Sequence, residues 1–260
     1  MKWMAVAINT FREAIRDKIL YNLLIFALLL IGGSILLATL TLGEQSKIIM
    51  DFGLASINLF GILIAIFLGI GLVSKEIAKR TLYTVLTKPI GRTEFLLGKY
   101  AGLLLTLLVN ISIMTAGLYL TLMLNQFRWE LPWLSVEPRL VTAIFMIYLE
   151  LCLITAVALL FSTFTTTTLA AIFTLSTYVI GHISSDLVVM AEKLPAKSTA
   201  IFLKGIYYIL PNLSNFDIKG QVVHKVPIEP IYFLLNFAYA IAYITLLIGT
   251  AAFIFKRRDF

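Results

Sequence analysis

Few side chains in this sequence could do chemistry in an apolar setting, and Glu150 stands first among them. It is the one carboxylate deep inside an apolar run, about midway along residues 139–161. Ionised carboxylates are costly in lipid and usually face a bundle interior, a wet cavity or a partner. Glu150 could therefore serve a substrate path or a subunit contact. The alternative, which we prefer, is a protonated carboxyl that hydrogen-bonds Asn58, Asn110 or Thr155 and holds helices together.

The two histidines give a weaker pattern. His182 and Asp186 stand four residues apart, a spacing that could hold a metal ion or a proton on one helix face. The only other histidine is His224, and the single cysteine, Cys152, is remote in sequence. We therefore predict no metal site, and expect His182 to make a hydrogen bond where its helix meets the interface.

The hydroxyl-rich stretch "FSTFTTTT" at 161–168 could suggest a nucleophile, but no base accompanies it at motif spacing. Its plainer use is a tight turn between two helices, in which hydroxyl groups bond backbone carbonyls. We predict no catalytic residue.

A nucleotide site is also missing from the sequence. The phosphate-binding loop needs two glycines separated by four residues and followed by Lys and Ser or Thr. Gly91 and Gly98 have six residues between them, and Lys99 is followed by Tyr100. No cofactor is expected in this chain, so any ATP and magnesium would belong to a partner.

Composition indicates what must position these residues. Of 260 residues, 60% are hydrophobic and only 13% are charged. Such an excess of apolar side chains cannot be hidden in one soluble core, so much of the surface must face lipid. The net charge of +7 then reflects orientation and anionic lipid rather than nucleic acid.

Six apolar segments are long enough to cross a bilayer as helices, and no period-two alternation favours a barrel. They are residues 19–42, 52–73, 100–124, 139–161, 167–184 and 230–255. The sequence therefore predicts an all-α integral membrane protein with one transmembrane domain, residues 1–260.

Basic residues predict how these spans are oriented. With six spans, the side that holds both termini carries thirteen of the 21 lysines and arginines, and the opposite side carries eight, five of them in the long loop 185–229. Because short loops near span ends carry most of the signal, both termini and residues 74–99 are expected in the cytosol. Trp129 and Trp133 would then mark the outer interface.

Two shorter segments read as helices that do not cross. Residues 1–18 place Trp3, Val6 and Phe11 on one face, which predicts an amphipathic helix lying in the interface. Residues 200–210 are too short to span and are stopped by Pro211, which predicts a re-entrant or interfacial outer helix.

The cytosolic stretch after the second span is patterned. Ala78, Leu82 and Val85 fall on one helix face, with basic residues on the preceding turns. Pro89 ends this helix, and Thr93 is the expected N-cap of the third span. The alternative, of equal weight on periodicity alone, is a charged connector that keeps the loop inside the cell.

Three stretches resemble type-2 ATP-binding-cassette (ABC) transporter permeases: "KEIAKRTLYTVLTKPIGRTEFLLGKY", "ALLFSTFTTTTLAAIFTLSTYVIGH" and "YYILPNLSNFDI". The resemblance implies an exporter in which two permease chains, expected to be identical, pair above two separate ATPase subunits. It also implies that the helix within 74–99 is the coupling helix that docks in the ATPase. The docking role carries over to Glu76, Lys79, Arg80, Thr81, Tyr83, Thr84, Lys88 and Pro89.

Two other classes stay open. A secondary transporter would need inverted repeats or broken helices around a midplane ion site. A membrane-embedded enzyme would need a nucleophile or clustered histidines and carboxylates. The transported substrate cannot be read from the sequence.

Overall fold

The computed structural model describes residues 2–41, 44–78, 91–128, 139–193 and 197–257, and every regular element in these ranges is helical. The helices are α1 (Lys2–Ile15), α2 (Lys18–Thr39), α3 (Gln45–Ala78), α4 (Arg92–Arg128), α5 (Arg139–Phe164), α6 (Thr167–His182), α7 (Ser184–Lys193), α8 (Lys197–Ile209), α9 (Lys219–Val223) and α10 (Pro230–Arg257), with a 3-10 turn at Ser214–Phe216.

Five of these helices, α2, α3, α4, α5 and α10, are long and apolar enough to cross a membrane. A sixth crossing results if α6 and the first part of α7 count as one span, bent by 59°. Each of the six predicted apolar segments thus coincides with one of these helices over most of its length, although α2 ends at Thr39, before the predicted limit at residue 42. The chain is a multi-pass membrane protein.

The centre of the bundle is formed by α3 and α5. In each, 78% of the residues in the apolar stretch are buried, against 22% in α2 and in α10. Glycines let these two backbones approach: a Cβ on Gly69 would lie 2.9 Å from the Cβ of Ala158. A helix that is apolar all round is suited to such a central place, because every face meets another apolar surface.

The outer helices present their apolar side chains away from the bundle. Leu36 is 71% exposed on α2, and Leu246 is 63% exposed on α10. In a membrane these surfaces face acyl chains, so their exposure carries no penalty.

The first helix packs against the start of α4. Val6, Thr10 and Ala14 are buried there, and a Cβ on Gly102 would lie 2.5 Å from the carbonyl oxygen of Ala7. The predicted helix near the N-terminus therefore exists, and part of its apolar face is covered by protein. Its position in the membrane interface stays a prediction.

The start of α4 also meets the end of α10. Nη1 of Arg92 donates hydrogen bonds to the carbonyl oxygens of Phe255 (3.3 Å) and Lys256 (3.0 Å). We call this end of the bundle the termini side, and the opposite end, with residues 184–229, the loop side.

Two helix limits on the termini side differ from prediction. The helix of the second span continues past the apolar segment 52–73 without a break, through Ala78, and α4 begins at Arg92, before the expected cap at Thr93. Oε2 of Glu94 instead accepts a hydrogen bond from the backbone amide of Gly91 (3.3 Å). Charged residues therefore extend both helices beyond the apolar runs that the sequence marks.

Candidate functional site

The helical hairpin of α5 and α6 brings Glu150 and His182 to the same level. The helices are joined by a tight turn at Thr165 and Thr166, where the Thr165 hydroxyl donates to the carbonyl oxygen of Phe161 (2.8 Å). This confirms the predicted hydroxyl-rich turn. At 1.5 Å per residue, Glu150 and His182 lie about 22 and 24 Å from it. They are therefore neighbours within the hydrocarbon thickness of about 30 Å.

These two residues form what we call the acid–imidazole pair. Nε2 of His182 lies 3.5 Å from Oε1 of Glu150, and the Glu150 side chain is 1% exposed against 21% for His182. Within the described residues, all four polar atoms of the pair are buried, and neither carboxylate oxygen of Glu150 makes a hydrogen bond. The His182 ring interacts with the backbone of Tyr178, without a well-formed hydrogen bond.

The predicted partners of Glu150 are engaged elsewhere. The Thr155 hydroxyl donates to the carbonyl oxygen of Leu151 (2.7 Å), and the Asn110 amide donates to that of Thr106 (2.8 Å). Asn58 is buried with an unbonded amide oxygen. The expectation that one of these residues hydrogen-bonds Glu150 is therefore wrong within the described residues. His182 ends its helix as predicted, and its place at the membrane interface stays a prediction.

The chain breaks directly after His182. Helix α6 ends there and α7 begins at Ser184, at an angle of 59°. The ring of Tyr178 packs on the His182 ring, with centroids 4.5 Å apart. The break leaves room beside Gly181, where the amide of Leu213 donates to the Gly181 carbonyl oxygen (2.9 Å).

Residues 211–224, which we call the inserted segment, fill this space. Phe216, Ile218 and Val223 are almost fully buried, and α9 packs against α3 and α5. Helix α10 holds the segment from the other side: the Tyr239 hydroxyl accepts from the amide of Asn212 (2.8 Å), and the Tyr232 hydroxyl donates to the carbonyl oxygen of Asn215 (2.6 Å).

The inserted segment brings a second charged pair toward the first. Nζ of Lys219 lies 3.5 Å from Oδ1 of Asp217. Both residues interact electrostatically with Glu150 and with His182. Within the described residues no three His, Cys, Asp or Glu side chains come together as a metal site, and Asp186, the sequence candidate for pairing with His182, is exposed.

The termini side carries contacts of a different kind. Phe95 stacks on Phe255 with ring centroids 6.2 Å apart. Nζ of the buried Lys99 lies 3.5 Å from a carboxylate oxygen of Glu13 on α1. Together with Arg92, these contacts join the start of α4 to both α10 and α1.

The predicted docking residues lie next to this cluster in sequence. Glu76 belongs to the last turn of α3, although its side chain falls outside the described residues. Lys79, Arg80, Thr81, Tyr83, Thr84, Lys88 and Pro89 also lie outside the described residues. Their docking role stays a prediction.

A groove of about 340 Å³ opens between α2, α3 and α6 on the termini side. Its walls are apolar, with Leu23, Phe67 and Leu68 among them, and its polar rim consists of Asp17, Thr167 and Thr168. The Asp17 carboxylate already caps α2 by accepting from the amide of Ile19 (3.0 Å).

Comparison with known proteins gives one match of broad extent. The family model described as "ABC-2 family transporter protein" matches residues 4–260. No curated protein matches the chain.

Proposed function

Because the chain belongs to the ABC-2 transporter family, we propose that it is the membrane-spanning subunit of an exporter driven by a separate ATPase. The observation that carries this proposal is the family match over residues 4–260, in a chain whose sequence has no phosphate-binding loop. A transporter of this family needs ATP hydrolysis, so the nucleotide must be bound by a partner.

The ATPase partner would bind the segment between α3 and α4. Because α3 runs through Ala78 and α4 begins at Arg92, a push on residues 79–90 would reach the ends of two long helices directly. The Arg92 hydrogen bonds and the Phe95–Phe255 stack would transmit movement of α4 to α10. The Lys99–Glu13 pair would pass it to α1. This arrangement supports the proposed docking role of Glu76, Lys79 and Arg80.

We place this side of the bundle in the cytosol, with the chain in the cytoplasmic (inner) membrane. The distribution of basic residues supports this orientation. Two identical permease chains and two ATPase subunits would make the complete exporter, and the substrate path would be built from the faces that the two permeases share.

Charge reversal tests the docking segment. In Lys79→Glu/Arg80→Glu, we expect the chain to insert normally but to lose its ATPase partner, because basic side chains that meet an acidic groove would become repulsive. The measurement is purification of the tagged permease from its native membranes. Bound P-loop ATPase is then identified by mass spectrometry and quantified against the parent chain.

The matched control is Lys256→Glu/Arg257→Glu, which makes the same charge change on the same side at the end of α10. We expect this variant to retain the ATPase. Equal retention by both variants would remove the docking assignment, and the absence of any P-loop ATPase from the parent complex would overturn the proposed function.

A secondary transporter is the second candidate, because α6 breaks beside the buried Glu150. Broken helices beside a buried carboxylate are typical of ion-driven carriers. The same purification separates the two: an ion-driven carrier would come without an ATPase.

A further inference from the structure

In the part of the chain that the structure describes, the polar atoms of the acid–imidazole pair make no short hydrogen bond that would hold helices together. The distance of 3.5 Å between Nε2 of His182 and Oε1 of Glu150 exceeds the 2.7–2.9 Å of a strong charge-assisted hydrogen bond. The backbone of Tyr178, one turn earlier on α6, also interacts with the His182 ring, whereas no group in the described residues hydrogen-bonds the Glu150 oxygens. Replacing a buried pair by apolar side chains of similar volume is often neutral for stability, so packing alone does not require polar groups here. The pair therefore has the character of a binding site for something small.

A proton is the ligand that fits it. A structural metal ion needs about four protein ligands, and a catalytic one about three, whereas the described residues offer no such group here. A carboxylate and an imidazole are the two side chains that exchange a proton near neutral pH. With one proton between them the pair is neutral, which is the form that a buried site favours.

The titratable and charged groups around the pair favour a single bound proton. Tyr178 packs on the His182 ring from α6. Asp217 and Lys219 face it from the inserted segment and cancel each other's charge. From α10, Tyr232 bonds the inserted segment rather than the pair, and from α3 Asp51 interacts with His224 instead. A second proton, or none, would leave a net charge in the bundle.

We infer that the acid–imidazole pair binds one proton while the inserted segment is seated, and releases it when the segment withdraws. The segment covers the pair by packing Phe216, Ile218 and Val223 into the bundle. Its withdrawal carries Asp217 and Lys219 away and admits water to Glu150. This inference does not depend on an ATPase.

The sign of the pH effect follows from proton counting. In water a glutamate carboxyl loses its proton near about pH 4.3 and an imidazole near about pH 6.5. Above about pH 6.5 the seated state therefore holds one proton and the withdrawn state none. By linkage, withdrawal becomes about tenfold more favourable per pH unit in that range. Between about pH 5 and 6 the imidazole keeps its proton in either state, so the dependence vanishes.

A cysteine-protection experiment measures this equilibrium in the full chain, reconstituted in nanodiscs. In a Cys152→Ala background, Val222→Cys places a thiol on the buried face of the inserted segment, and Gln221→Cys places one on its exposed face. The ratio of their maleimide reaction rates reports withdrawal, because the pH dependence of the thiol itself cancels. We expect the ratio to be level from pH 5 to 6 and to rise steeply from pH 7 to 8.5.

Variants of the pair give distinct patterns. In Glu150→Gln no carboxyl is left to lose a proton when the segment withdraws. The rise of the reaction-rate ratio above pH 7 should therefore disappear. His182→Gln leaves a lone carboxyl, so the rise should persist and extend down toward pH 5. His224→Gln, outside the pair, should behave as the parent.

A flat parent ratio from pH 7 to 8.5, or a rise that Glu150→Gln leaves unchanged, would overturn the inference. If Glu150→Gln does not accumulate in membranes, His182→Gln decides: a ratio that stays level from pH 5 to 6.5 in that variant contradicts it.

Discussion

The two ends of the bundle use charge in opposite ways. On the termini side, Arg92 and Lys99 join the ends of three helices. The Lys99 side chain is itself buried, but its partner Glu13 has a side chain that is 46% exposed. On the loop side, Glu150 is sealed in the bundle beneath the inserted segment. A charged pair with one member in water can stay ionised near a surface that receives another protein, whereas a pair cut off from water has to be kept neutral.

This difference predicts unequal costs of mutation. Disrupting the sealed pair should cost most, since its members cannot be rescued by water. Disrupting the termini-side contacts should cost less, and should affect chiefly how α1, α4 and α10 are held together.

The largest effect is expected for His182→Ala. It leaves the Glu150 carboxyl without its neighbour and removes a ring that packs on Tyr178, and a cavity of that size costs on the order of 3 kcal/mol. Denaturant titration of the purified chain, followed by helical circular dichroism, measures the free energy of unfolding.

The double variant Glu150→Leu/His182→Leu is the matched comparison, because it removes both polar groups and fills the space. It should be more stable than His182→Ala, since replacing both members of a buried pair is often neutral. If the double variant is the less stable of the two, the pair makes a net contribution to stability, which contradicts this expectation.

An intermediate effect is expected for Gly102→Ala on the termini side. The new methyl group would meet the carbonyl oxygen of Ala7 at 2.5 Å and Cβ of Thr10 at 2.6 Å. Overpacking of this kind costs about 1–3 kcal/mol, and it should loosen α1 from α4. Limited proteolysis near the N-terminus reports the loosening alongside the unfolding free energy.

Gly249→Ala on α10 is its control, because a Cβ there meets nothing within 4 Å. Alanine is the better helix former by about 0.5–1 kcal/mol, so this variant should be neutral or more stable. Equal losses in the two glycine variants would mean that the close approach of α1 and α4 is not what Gly102 provides.

The smallest effect is expected for Arg92→Gln. It removes the hydrogen bonds to the carbonyl oxygens of Phe255 and Lys256, each partly open to solvent, at a cost of about 1 kcal/mol in total. Hydrogen exchange should increase over the last turn of α10 and stay unchanged in α5. Unchanged exchange in α10 would show that the contact does not hold that helix.

The sequence predicts the helices better than their contacts. Apolar runs mark the spans, yet α3 and α4 extend past them because charged residues such as Lys75 and Arg92 continue a helix once it leaves lipid. The packing of α1 on α4 has a sequence signal in the four-residue spacing of Gly98 and Gly102. Periodicity alone does not indicate which partner those glycines meet.

The acid–imidazole pair can be predicted from the sequence only in part. Glu150 and His182 are almost equally far from the turn at 165–166, so the hairpin alone indicates that they meet. The contributions of Asp217 and Lys219 depend on how the inserted segment folds back into the bundle. No local sequence pattern indicates this fold-back, since a short apolar stretch that begins with a proline fits a surface loop equally well.

The most direct test of the account is the side on which the segment between α3 and α4 lies. Single cysteines replace Lys79 and Lys204 in a Cys152→Ala background, and a membrane-impermeant maleimide is applied to intact cells and to inverted vesicles. We expect Lys204→Cys to react in cells, and Lys79→Cys to react only in inverted vesicles. Labelling of Lys79→Cys in intact cells would place the segment outside, where no ATPase could reach it, and would contradict the account.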